Sequence, residues 1–191
     1  MPNETTKNLL SLLHEIKDPR QEILIQIYHD HAPLFQKAEG SSHNHQNWVG
    51  GYVDHIAECL RINNVTYNAL SQIRPLDFKK DSAAIVLFFH DIEKPFKYGS
   101  NEDSRCQKWQ KKYSSATACW ENAKWEILHE MMHHYQFSFS DEELNALKYT
   151  HGEGNDHRKN ARVSGPLAAH VHHCDNTSAR IWFNEGEKLA A

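Results

Sequence analysis

The stretch that most constrains this chain is residues 83–89, seven apolar residues that run directly into His90 and Asp91. No polar face interrupts them, so a helix there is buried on most sides. Asp81 and Ser82, just ahead, supply the chemistry of a helix N-cap. A carboxylate and an imidazole beside an apolar core are costly unless they are paired or bound to a metal. Adjacent helical residues point about 100° apart, so His90 and Asp91 reach one ion together only from a helix end that faces a cavity.

Helical periodicity continues on both sides of this element. Leu9, Leu10, Leu12, Leu13 and Ile16 share a face over residues 8–16, and Asp18-Pro19 ends that helix. Pro19 suits the first turn of a second helix carrying Ile23, Leu24, Ile27, Tyr28 and Leu34. Residues 38–47, with His43 and His45, are polar and read as a loop. Val49, Val53, Ile56, Ala57, Leu60 and Ile62 resume helical spacing. The polar insert 98–112 reads as a cover over the site or an excursion into solvent, and residues 114–135 form another long helical pattern. Ser140 with Glu143 makes a capping box for a helix that reaches Tyr149, where Gly152 and Gly154 break it. A last helix over 166–183 carries His170, His172, His173 and Asp175. Nothing alternates with period two for long enough to make a strand. The expected fold is all-α, one helical domain over residues 1–187, with Lys188-Leu189-Ala190-Ala191 resembling a vector-derived tail.

A length of 191 residues fits one domain. A mean hydropathy of -0.74 and the shortness of the longest apolar run exclude a membrane span. The opening MPNETTKNLL lacks the basic-then-apolar order of a secretory signal. A net charge of -4 provides no field to draw the chain onto duplex nucleic acid. Cys59, Cys106, Cys119 and Cys174 have no C-x-x-C spacing and read as reduced thiols of a cytoplasmic protein. The outlier is 15 histidines, internal and clustered with acidic residues, because histidine is the commonest metal ligand.

Four segments concentrate that chemistry: His45-x-x-x-x-Gly50-Gly51-x-x-x-His55, Phe88-Phe89-His90-Asp91-Ile92-Glu93-Lys94-Pro95, Tyr149-Thr150-His151-Gly152, and His170-x-His172-His173-Cys174-Asp175-Asn176. His55, after a Gly-Gly that permits close backbone approach, and Asp175 are the candidates to join His90 and Asp91. Two imidazoles and two carboxylates suit Mn, Fe, Co, Ni, Mg or Zn, and ligand type does not choose among them. Lys94 lies one turn beyond His90, where its ammonium can meet a phosphate. His151 can serve as general acid, and His45, in the loop beside the site, can touch substrate. The competing reading is structural: a buried ion-pair network without metal, an exposed Lys94 and a turn-capping His151. His129, His133 and His134 read as an exposed helix face, while one of His170, His172 and His173 is expected to line the cavity.

Taken together, the order His…His-Asp…Asp within GGYVDH, FFHDIEKP, YTHG and HHCDNTSAR resembles the HD-domain phosphohydrolases over roughly residues 45–180. It is most like the HD domains of bacterial 3′→5′ exoribonucleases and of small HD nucleotide hydrolases. The resemblance implies an HD-type helical bundle with His55, His90, Asp91 and Asp175 as metal ligands. Asp91, Lys94 and His151 would carry catalysis, and Lys94, His151 and His45 would face substrate. It implies a divalent ion that activates water and neutralises charge on a small phosphorylated substrate, a nucleotide above all. Two-metal members carry two further histidines, where this chain has Thr150 and the region around Trp120; that points to one ion rather than two. The same scaffold also houses mixed-valent di-iron oxygenases, and an HD fold can persist as a non-catalytic ligand-binding module. Exposed aromatic residues would permit a homodimer.

Overall fold

The computed structural model describes residues 4–41, 45–100, 102–115 and 119–182, so His43 and the tail at 188–191 lie outside the described residues. In chain order the helices are α1 (Glu4–His14), α2 (Gln21–Phe35), α3 (Gly51–Ile73), α4 (Lys80–Phe89), α5 (Lys94–Tyr98), α6 (Ser104–Lys112), α7 (Trp120–His134), α8 (Asp141–Tyr149) and α9 (Pro166–Arg180), with a 3-10 turn at Gly154–Asp156. The fold is all-α, without a strand among the described residues. Among the described residues no helix is long and apolar enough to cross a membrane.

Helix α3 is the axis of the packing and touches α1, α4 and α9; α8 closes against α4 and α9. One face of α3 buries Tyr52, Val53, Ile56, Ala57 and Leu60, and every residue of α4 from Ser82 to Phe89 is buried. Each fully buried Leu, Ile or Phe contributes about 1.5–3 kcal/mol over its exposed state. This is why α4 cannot move far, and why the residues at its end are held rigidly.

Several element boundaries differ from the sequence expectations. α4 starts at Lys80 with Lys79 as N-cap, and Asp81 lies inside the first turn. The Asp81 carboxylate accepts a hydrogen bond from the Lys17 amide (3.2 Å), so it ties the α1–α2 link rather than capping its own helix. Pro19 stands just outside α2, whose N-cap is Arg20. Residues 98–112 are not a solvated excursion, because Asp103 caps α6 through Arg105 N (2.9 Å) and Cys106 and Trp109 are buried beneath it. Two inward positions in nine residues make too faint a periodicity to read. α7 begins at Trp120 rather than near 114, whereas the Ser140–Glu143 capping box forms in both directions. Pro166 opens α9 at its first turn.

Candidate metal centre

His90 is the C-cap of α4, and Asp91 follows it into a short turn before α5. The helix end therefore aims both side chains at one cavity. α3 brings His55 there. Its entry needs Gly50 in the left-handed region (φ 87°), and Gly51 packs so tightly that a Cβ would sit 1.9 Å from the Gln46 carbonyl oxygen. α9, packed against α3 and α4, brings Asp175.

The four donors converge. His55 Nε2 lies 3.2 Å from His90 Nε2, 3.4 Å from Asp91 Oδ2 and 3.2 Å from Asp175 Oδ1. His90 Nε2 lies 3.2 Å from Asp91 Oδ2 and 3.4 Å from Asp175 Oδ1. Two donors on one ion with bonds of about 2.1 Å stand about 3.0–3.4 Å apart for angles between 90° and the tetrahedral value. The observed spacings fall inside that interval.

Protein partners decide which nitrogen of each histidine faces the cluster. His90 Nδ1 donates to the Leu87 carbonyl (2.7 Å), which can only accept. Ser178 Oγ donates to Glu58 Oε2 (2.7 Å), so it accepts from His55 Nδ1 (3.0 Å). Both Nδ1 atoms carry protons, so both Nε2 atoms face the same place, each open to a second proton or to an ion. Neither oxygen of Asp91 receives a well-angled hydrogen bond, although the residue is fully buried. Charge contacts alone reach it: Lys94 Nζ at 2.5 Å from Oδ2 and His151 Nε2 at 3.4 Å from Oδ1. Two Nε2 atoms 3.2 Å apart among carboxylate oxygens of Asp91 and Asp175 need a proton or a cation between them. The donor set thus fits a divalent ion.

The electrostatics point the same way. Burial acts against a charged His90, yet Asp91 and Asp175 overcome it and push its pKa up to about 10. Asp91 and Asp175 resist burial in turn and are held well below the usual carboxylate range, Asp91 by the charges of His90 and Lys94 and Asp175 by hydrogen bonds from His55 and His90. A proton on His90 occupies the electrostatic place of an ion, and the two compete for the same lone pair.

Around this core, Lys94 is 15 % exposed at the side chain rather than free in solvent. His151 is half-exposed and also approaches Asp175 Oδ2 at 3.8 Å, which puts it at the open side of the cluster. The His45 ring lies 4.8 Å from that of His55, with Nδ1 2.6 Å from Gln46 Oε1. Burial, then the charges of His55 and Lys94, pull the His45 pKa down to about 4, so it is neutral at pH 7. His129, His133 and His134 are exposed.

None of the α9 histidines joins the converging donors, although His172 lines a neighbouring pocket with Tyr149 and Gly152. His170 is buried in the core, donating from Nε2 to Asn63 Oδ1 (2.8 Å), and burial lowers its pKa to about 4. His172 donates from Nδ1 to the Thr150 carbonyl (2.5 Å), and His173 is exposed. Thr150 turns its hydroxyl onto Ala146 O (2.7 Å). On α7 the buried positions are Ala123, Lys124, Ile127, Leu128 and Met131, and none is a histidine.

Sequence reasoning passed over four residues. Glu58 and Ser178 lie one turn beyond His55 and Asp175 and orient His55. Gln46 is buried at positive φ (44°) and links His45 to Glu58 by a 2.9 Å bond; a non-glycine residue there costs of order 1–3 kcal/mol. Cys59 sits beside His55. The i,i+3 and i,i+4 spacings from the named ligands were the available signal for Glu58, Ser178 and Cys59. No protein-family model, curated protein or solved structure matches the chain.

Proposed function

We propose that this chain is an HD-type, metal-dependent phosphohydrolase, with His55, His90, Asp91 and Asp175 holding a divalent ion and a small phosphate ester, foremost a nucleotide, as substrate. The observation that carries the reading is the pair of buried Nε2 atoms, each fixed by its own Nδ1 bond, converging with carboxylate oxygens of Asp91 and Asp175 at 3.2–3.4 Å. A bound divalent ion supplies Lewis-acid charge at phosphorus and the means to activate water.

The chain's own residues supply the rest. Lys94, anchored by Asp91, presents a fixed ammonium to a phosphate oxygen. Half-exposed His151, on the open side, is placed to give a proton to the leaving oxygen. Neutral His45, its Nδ1 committed to Gln46, offers Nε2 as an acceptor to a substrate hydroxyl. Net acidity argues for a small nucleotide over a duplex.

The test is metal analysis of the purified protein with a screen of nucleotides and generic phosphate esters in added Mn, Co, Ni or Mg. The expected outcome is about one ion per chain together with phosphate release. His151 also groups with His90, Asp91 and Asp175 within ligand range. Two irons without phosphate release would therefore move the reading to a di-iron oxygenase, and no bound metal would move it to a ligand-binding module.

A further inference from the structure

We infer that Cys59 is an additional ligand of the ion, and that the site selects a sulfur-accepting divalent ion of the zinc, cobalt or nickel kind over magnesium. This rests on the metal centre proposed above and narrows its ion. Cys59 follows His55 by four residues on α3, the spacing that sets two side chains on one helix face. Its sulfur lies 3.7 Å from His55 Nε2 and 3.9 Å from Nδ1, nearer the nitrogen that faces the cluster. Donor atoms of His55, Cys59, His90 and Asp175 all lie within 4.8 Å of one another, and all four residues are buried. This group shares His90 and Asp175 with the second converging group, His90, Asp91, His151 and Asp175, so the two meet at one cavity.

Cys174 provides an internal contrast. It has the same four-residue spacing from a histidine, with Sγ 3.7 Å from His170 Nε2. That nitrogen is committed to Asn63 Oδ1, the thiol is shared with Thr66 (3.8 Å), and the pair belongs to neither group of converging donors. Geometry alone thus separates a packing cysteine from a ligating one.

On binding, the S–H bond of Cys59 gives way to a metal–sulfur bond, the electron pair stays on sulfur and the proton leaves to buffer. Thiolate sulfur favours zinc and its transition-metal neighbours, whereas magnesium takes oxygen ligands.

The experiment loads the full chain with Co(II) and reads two absorptions: visible d–d bands, which report a bound ion, and a near-ultraviolet sulfur-to-cobalt band. Both should appear in the unaltered protein and in Cys174→Ser. Cys59→Ser should keep the d–d bands, lose the sulfur band and bind Co(II) about tenfold or more weakly. Excess magnesium should not displace the cobalt. Visible bands without the sulfur band, or a sulfur band that survives Cys59→Ser, would overturn the assignment while leaving the metal centre intact. Displacement by magnesium would overturn the ion preference, and no d–d bands at all would overturn the metal centre as well. Should Cys59→Ser fail to fold, cobalt-edge X-ray absorption of the unaltered chain decides without a substitution: a shell of nitrogen and oxygen alone overturns the proposal.

Discussion

Two charge clusters in this molecule, one partly exposed and one buried, are built on opposite principles. At the junction of α2 and α8, Arg20 donates from Nη1 and Nη2 to the two oxygens of Glu143 (2.7 Å each), and from Nε and Nη2 to those of Asp18 (2.7 and 2.9 Å). Ser138 O takes a further bond from Nη1, and the Ser140 amide donates to Glu143. The protein itself satisfies these carboxylates. At the junction of α3, α4 and α9, the outward nitrogens of His55 and His90 are satisfied by the protein, while the inward nitrogens meet only one another and the oxygens of Asp91 and Asp175, and neither Asp91 oxygen receives a well-angled hydrogen bond. A matched cluster is architecture. One in which donors converge, buried more deeply and with its histidines oriented from behind, suits the coordination of an ion.

That contrast can be broken at either end. Asp91→Ala should have the largest effect, abolishing ion binding and phosphate release while far-UV circular dichroism stays near that of the parent; retained turnover would sink the assignment. Arg20→Ala should do the reverse. It leaves Glu143, 1 % exposed at its side chain, without its countercharge and should lower the unfolding free energy by about 3 kcal/mol, read from urea titration, with ion affinity unchanged. A matching fall in ion affinity would show that the clusters are coupled.

Ser178→Ala should weaken ion binding by about 10–100-fold, through loss of the Glu58–Ser178–His55 chain, at a cost near 1 kcal/mol in stability. Calorimetric titration checks this, and unaltered affinity would remove Ser178 from the site. The smallest effect is acid sensitivity. The hydrogen bond and charge of Arg20 hold Asp18 low, and they outweigh burial at Glu143, so both carboxyls have lower pKa values folded than unfolded. Their contribution is complete above the ordinary values of 3.8 and 4.5 and is lost as pH falls below them. Urea midpoints taken across that range should drop in the parent and drop less in Arg20→Ala.

Much of the candidate site was legible in the sequence. The run at 83–89 required burial, so the polar pair that ends it had to be accounted for. His55 and Asp175 were reachable because a Gly-Gly and a histidine-rich helix flagged their segments. The α6 segment was not legible, because Cys106 and Trp109 are only two inward residues in a charged stretch. Nor was Gln46, whose value lies in a strained backbone that looks like polar loop in the sequence.

What the sequence determined by itself was the local part: helical periodicity, the Ser140–Glu143 cap, and a buried His-Asp pair at a helix end. Those properties depend on residues a few positions apart, so spacing reveals them. Only the tertiary structure decided that Ser178, 123 residues from His55, sets its tautomer, that Arg20 answers Glu143 across an equal separation, and that His170 is a core residue rather than a ligand. Proton placement, burial and charge pairing follow from which helices meet, and that information resides in no window of the chain.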